Sequence, residues 1–186
     1  NGEVKATRYA NSGQGVHDGL PTFTAKDLLG TGYNPHHYYA IAFEGGFNGS
    51  TTVDADRTVT VTLTEKDCYE IASKEDWKEF CDLVNGGQNA VDAKMTADVD
   101  LGGDIKTISG VHKYSGTFDG QNHTLTLNWN SQSGEVAPFK FVNNATIKNL
   151  RVKGHITGKR ELAGLIYTVH GNTTLSNCVS EVDIKG

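Results

Sequence analysis

Apolar and polar residues alternate with a period of two in several stretches of the chain. In RTVTVTLTEKD, Val59, Val61 and Leu63 alternate with Thr58, Thr60, Thr62 and Thr64, the pattern of a half-buried strand. VDAKMTADVDL alternates over its whole length, with Val91, Ala93, Met95, Ala97, Val99 and Leu101 on one side, and predicts one strand. In TFDGQNHTLTLNW, Leu125, Leu127 and Trp129 alternate against Thr124, Thr126 and Asn128, and Asp119-Gly120 reads as the corner that leads into that strand. A single segment changes period. SKEDWKEFCDLVNGG places Trp77, Phe80, Cys81 and Val84 at i, i+3, i+4 and i+7 and predicts an amphipathic helix. Ser73 is its N-cap, Asp76 follows three residues on as in a capping box, and Gly86-Gly87 stops it. Upstream, TAKDLLG predicts a helical turn and HYYAIAFEG a strand, so residues 1–66 form a β-rich N-terminal region.

Two later segments repeat. IKNLRVKGHITG (147–158) and LSNCVSEVDIKG (175–186) match apolar to apolar at Ile147/Leu175 and Leu150/Cys178, with Asn149 on Asn177 and Gly158 on Gly186, an offset of 28 residues. APFKF and AGLIY, just before them, also correspond, and TFDGQNHTLTLNW occupies the place of an earlier, more divergent copy. A repeat of this length built from short strands is the signature of a solenoid, because one unit cannot bury its apolar side without stacking on a copy of itself. The predicted boundary lies between residues 66 and 67.

Composition narrows the function. The net charge is −5 and no run of Lys or Arg occurs, which argues against a nucleic-acid footprint or an anionic-membrane patch. No apolar run approaches the roughly 18 to 20 residues of a membrane span, and Asn1 opens a polar stretch without a signal-peptide pattern. Glycines number 22 against 3 prolines, which fits a β-rich chain with many turns. Three cysteines allow one bridge at most, and Cys68 with Cys81 is the pair that could form it in an oxidising compartment; Cys178 reads as a small buried hydrophobe.

From Tyr69 onward the chain resembles the GLUG-type repeat regions of large bacterial cell-surface proteins. The resemblance rests on the order of EDWKEFCDLVNGG, MTADVDLGG, YSGTFDGQNHTL, APFKFVNNATIKNLRVKGHITG and AGLIYTVHGNTTLSNCVSEVDIKG, and covers roughly residues 67–186. Pro138 and Tyr167 depart from it, standing where the repeat commonly has glycine. It implies a short right-handed parallel β-helix with an N-terminal capping helix at about 73–85, and an exported bacterial protein acting extracellularly or at the cell surface as an adhesin-like or scaffold module. It implies no catalytic chemistry and no cofactor.

Several residues could carry chemistry. Asp119 and His123 would form a catalytic pair only by facing each other across a turn, and no third group suggests how they would be oriented; the corner is the stronger reading. Asp98, Asp100 and Asp104 lack the glycine-spaced loop of a calcium site and read as a solvated strand face. Tyr33, His36, His37, Tyr38 and Tyr39 concentrate in GYNPHHYYAIAF. Adjacent histidines on a strand point to opposite sides, a poor geometry for one metal ion, so the run is a candidate ligand-binding platform for sugar stacking or a partner. Lys148, Arg151, Lys153 and Asp183 are scattered, and no Gly-x-Ser-x-Gly elbow occurs. The expected function is a non-catalytic surface module for adhesion or assembly, with a protein or glycan ligand and self-association through an open C-terminal coil. A carbohydrate-active β-helix (a polysaccharide lyase or hydrolase) or its glycan-binding segment is the alternative, to be recognised by facing carboxylates in a groove.

Overall fold

The computed structural model describes residues 3–10, 24–44, 57–108, 111–132 and 134–186, and the chain divides into two compact units, Asn1–Lys66 and Asp67–Gly186. The side chains of Val59 and Val61 lie outside what is described.

The first unit holds a three-stranded antiparallel sheet in the order β1 (Glu3–Ala10), β3 (Arg57–Lys66), β2 (Tyr38–Glu44). The predicted helical turn is α1 (Ala25–Leu29), where Thr24 caps the Asp27 N–H and Asp27 caps Thr24 in return. Leu63 of the alternating β3 is fully buried.

The second unit is built from parallel sheets. One contains, in spatial order, β13 (Thr174–Ser176), β10 (Thr146–Lys148), β7 (Thr117–Asp119), β5 (Ala93–Met95) and β4 (Tyr69–Ile71). A second contains β14 (Val179–Lys185), β11 (Arg151–Gly158), β8 (Thr124–Ser131) and β6 (Val99–Asp100). A third pairs β12 (Ile166–His170) with β9 (Phe139–Asn143), extended by isolated bridges at Ile108–Phe139, Tyr114–Val142 and Val136–Leu162. The passes that begin with β7 and β10 visit the three sheets in the same sequence, and register partners across the passes fall into columns. Tyr69, Ala93, Phe118, Ile147 and Leu175 are successive register partners across the first parallel sheet; Trp129, Ile156 and Ile184 are partners across the second.

VDAKMTADVDL is two strands rather than one. Residues 96–98 turn a corner between β5 and β6, which belong to different sheets. Val91, Ala93, Met95, Val99 and Leu101 are nonetheless all buried, because both strands face the same interior and the alternation runs through the bend.

Helix α2 (Lys74–Asn85) begins at Ser73, whose hydroxyl accepts from the Asp76 N–H at 3.1 Å. Asp76 completes only half of the expected capping box: its carboxylate accepts from the Ala72 N–H and the Ser73 hydroxyl instead of the Ser73 N–H. The helix ends in a Schellman motif, with Gly87 at φ +106° and N–H groups of Gly87 and Gln88 on the carbonyls of Val84 and Leu83. Its buried face closes over an aromatic cluster. Trp77 meets Phe118 and Phe139 edge-on at 6.1 and 5.8 Å between ring centroids, and Phe80 meets Tyr114 and Phe118, each at 5.7 Å. The Trp77 indole donates to the Lys106 carbonyl at 2.9 Å. Cys68 and Cys81 are free thiols, Cys81 buried and Cys68 half-buried, and burial pushes both thiol pKa values up. Cys178 is half-buried, its Sγ 3.4 Å from the Ile147 carbonyl. Among the described residues no helix is long and apolar enough to cross a membrane.

Candidate functional site

The corner between β7 and β8 carries the richest polar geometry in the second unit. Gly120 is required there: a Cβ would collide with the Asn149 carbonyl and lie 2.7 Å from the Leu150 Cα. The next two residues, Gln121 and Asn122, take left-handed conformations at φ +50° and +64°. Asp119 supports this corner: its Oδ1 accepts from the Gln121 N–H at 3.0 Å and from Asn149 Nδ2 at 2.9 Å, and its Oδ2 lies 3.2 Å from Lys148 Nζ. Burial by itself would raise the Asp119 pKa, but the bonds from Asn149, Gln121 and Lys148 outweigh it and hold the carboxyl below its ordinary range. His123 does not face Asp119. Its Nδ1 lies 3.2 Å from Asp98 Oδ1, which also accepts from the Thr124 N–H at 2.9 Å; these two contacts, the backbone one foremost, hold Asp98 below the usual carboxylate range.

The same corner recurs on the following two passes. Asn149 and Asn177 both stand at φ +52°, so three asparagines occupy the left-handed position that this residue type tolerates best after glycine. Their side chains are linked: Asn177 Nδ2 donates to Asn122 Oδ1 at 3.1 Å and to Asn149 Oδ1 at 2.9 Å, while Asn149 donates onward to Asp119. Beside this column lies a cleft of about 230 Å³, lined by the three asparagines together with Thr124, Leu150, Arg151 and Val179. Arg151 reaches Glu181 through Nε at 3.4 Å, and both side chains are about half exposed. The cleft therefore presents amide, hydroxyl and guanidinium groups over an aliphatic patch, and no carboxylate lines it. Of its lining residues, the repeat pointed to Asn149 and Asn177 only as matching positions. The signal that extends the column is the Asn of GQN, at Asn122, which stands just before the strand β8 as Asn149 and Asn177 stand just before β11 and β14.

Of the aromatic and histidine residues in the first unit, three come together. Tyr33 and Tyr39 lie 5.4 Å apart between ring centroids and His37 is 6.5 Å from Tyr39. Glu65 joins two of them: its Oε1 is 2.6 Å from His37 Nδ1 and accepts from the Tyr39 hydroxyl at 3.1 Å, and those two hydrogen bonds, that of His37 first, lower the Glu65 pKa. The Tyr39 hydroxyl in turn accepts from the Asn34 N–H at 2.9 Å. His36 sits in the exposed turn, its N–H on Asn34 Oδ1, and Tyr38 is the register partner of Lys66, on the opposite side of the strand from Tyr39. The five do not form one face. Tyr39 is only 6% exposed, so its ring packs inward and offers no stacking surface.

The three aspartates of DVDLGGD diverge. Asp98 holds the β8 corner, Asp100 accepts from the Gly102 N–H at 2.8 Å, and Asp104 pairs with Lys74 and Lys78 at 2.7 and 3.1 Å. Among the described residues no group of three or more His, Cys, Asp or Glu side chains could hold a metal ion. Of the scattered charges, Lys148 is tied to Asp119 and Arg151 to Glu181, while Lys153 and His155 on β11 are the register partners of Glu181 and Asp183 on β14. In comparisons with known proteins, no family model matches the chain, and neither a curated protein nor a solved structure matches it.

Proposed function

We propose that residues 67–186 form a short right-handed parallel β-helix of GLUG-repeat type, and that the chain is a non-catalytic binding module acting outside a bacterial cell, in adhesion or assembly. Stacked coils present a ladder of repeated outward side chains, a geometry suited to holding an extended ligand. One observation carries the choice of binding over catalysis: the cleft on the asparagine column is lined by amides, a hydroxyl, a guanidinium and aliphatic groups. Glycoside hydrolysis takes two carboxyl groups flanking the scissile bond. Amide and hydroxyl groups hold sugars or peptides by hydrogen bonds without activating water.

The rival, a polysaccharide-cleaving β-helix, makes the opposite demand, and one experiment separates them. The 186-residue chain is incubated with immobilised neutral and acidic polysaccharides, and retained protein and newly released reducing or unsaturated ends are both measured. Retention with no new ends is the expected result. New ends above the background of a heat-inactivated sample would establish the rival.

A further inference from the structure

We propose that the cleft at Asn122, Asn149 and Asn177 is a binding site for a sugar residue that carries a carboxylate, so that the module's ligand is an acidic glycan. This deepens the reading of the chain as a binding module and rests on it. Four groups on the cleft are open to a ligand: the Asn122 Nδ2, the Thr124 hydroxyl, the Asn177 Oδ1 and the terminal nitrogens of Arg151 make no hydrogen bond to the protein among the described residues. Donors dominate this set. An amide N–H₂, a hydroxyl and two guanidinium nitrogens face a single amide acceptor, and the lining carries one positive charge and no negative one.

A guanidinium with free terminal nitrogens matches a carboxylate in a two-point geometry that an ammonium cannot reproduce. Glu181 lies 3.4 Å from the Arg151 Nε, and the terminal nitrogens make no hydrogen bond among the described residues. Leu150 and Val179 supply an aliphatic floor for the carbon face of a sugar ring, and the amides and the hydroxyl flank it as partners for ring hydroxyls. The volume of about 230 Å³ lies below the roughly 300 Å³ where sites for drug-sized ligands begin, and suits one sugar residue. Glu181, 3.4 Å from Arg151, offsets part of its charge, so recognition of the carboxylate rests on the two-point hydrogen bonding of the guanidinium and not on a net positive field.

The three asparagines are already fixed by their left-handed backbone and their mutual hydrogen bonds, so little side-chain ordering remains to be paid on binding. They also come from three successive passes, about 4.8 Å apart.

The test is a titration of the whole chain, followed by the ¹H–¹⁵N signals of the asparagine side-chain amides and the Arg151 Nε, with D-glucuronate, D-glucose and acetate as probes. Glucuronate is expected to move the signals of Asn122, Asn177 and Arg151 with a Kd on the order of millimolar, and glucose and acetate to bind at least about tenfold more weakly. Arg151→Met, which keeps the aliphatic stem, should abolish the preference for glucuronate over glucose. Asn122→Gly, which keeps the positive φ, should weaken all sugar binding while the chain stays folded. Acetate binding as tightly as glucuronate would reduce the site to a plain anion site and overturn the proposal. So would glucose binding equally well, or unmoved cleft signals at about 50 mM glucuronate. If the wild-type chain is retained on acidic polysaccharide and Arg151→Met is retained equally, the cleft assignment falls while the binding-module reading stands. If nothing is retained but glucuronate still moves the cleft signals, the module reading falls and the cleft assignment stands.

Discussion

Two tryptophans show how one hydrogen bond changes the value of a buried residue. Trp77 and Trp129 are both fully buried, but the Trp77 indole donates to Lys106 whereas the Trp129 indole N–H is buried without a partner among the described residues. An unsatisfied buried donor costs on the order of 1–3 kcal/mol, and a made bond contributes about 1 kcal/mol. Trp→Phe removes similar volume at both sites, so the difference between the two variants isolates that bond. Trp77→Phe should be about 1 kcal/mol more destabilising than Trp129→Phe in denaturant unfolding; equal losses, or the reverse order, would contradict the account. Asp119 gives a second test at this scale. Its folded pKa lies below the unfolded value, so its contribution is complete above the ordinary carboxyl pKa of about 4 and is lost as pH falls through the folded one. Asp119→Asn keeps an acceptor for the corner but cannot titrate. The gap in melting temperature between wild type and this variant should therefore be widest near neutral pH and narrow as pH falls below the ordinary carboxyl pKa of about 4.

Among the elements, α2 depends on both of its ends. Ser73 satisfies one orphan N–H at the start, and at the finish the Schellman motif needs a residue at φ +106°, which Gly87 supplies. A side chain there is strained even though space is available: the nearest atom to a Cβ at Gly87 is 3.9 Å away, in the His112 ring. Gly87→Ala should thus cost about 1 kcal/mol through backbone strain alone, with the aromatic near-ultraviolet signal of the Trp77–Phe118–Phe139 cluster unchanged. Loss of that signal would mean that the helix end and the core are more tightly coupled than the contacts indicate. The strands are short and gain their stability by stacking. Each interior strand of a sheet is flanked by the pass before it and the pass after it.

At the scale of the second unit, that closure is lopsided. Along the column Tyr69, Ala93, Phe118, Ile147, Leu175, exposure runs 5, 2, 0, 0 and 47%. Ile184 and Val169, the last members of their columns, are 49 and 52% exposed. The α2 side is covered by a helix, whereas the described residues place no strand beyond β12, β13 and β14. Unpaired strand edges beside exposed apolar side chains favour pairing with another chain. The 186-residue chain should associate with itself as concentration rises, and Val182→Lys with Ile184→Lys should suppress that in light scattering. A strictly monomeric chain at high concentration would show that this face does not drive association.

The 28-residue repeat was enough to place β13 and β14 in register on β10 and β11, because side chains of a strand alternate between faces and only one register stacks Ile147 on Leu175. The helix was equally legible, since its apolar face, N-cap and glycine stop are all local signals. What happens between strands was not. The corner at 96–98 leaves the alternation of VDAKMTADVDL undisturbed, so nothing local separates a bent path from a straight one. The pairing of His123 with Asp98 instead of Asp119, and the gathering of His37 and Tyr39 on Glu65, join residues more than 20 positions apart in sequence in each case. The cleft was hidden for the same reason. Asn122, Arg151 and Asn177 belong to three separate passes, and only the stacking of those passes brings an amide, a guanidinium and a second amide to one place. Periodicity thus sets which side chains face inward, while the site depends on which passes become neighbours, and that is decided by packing.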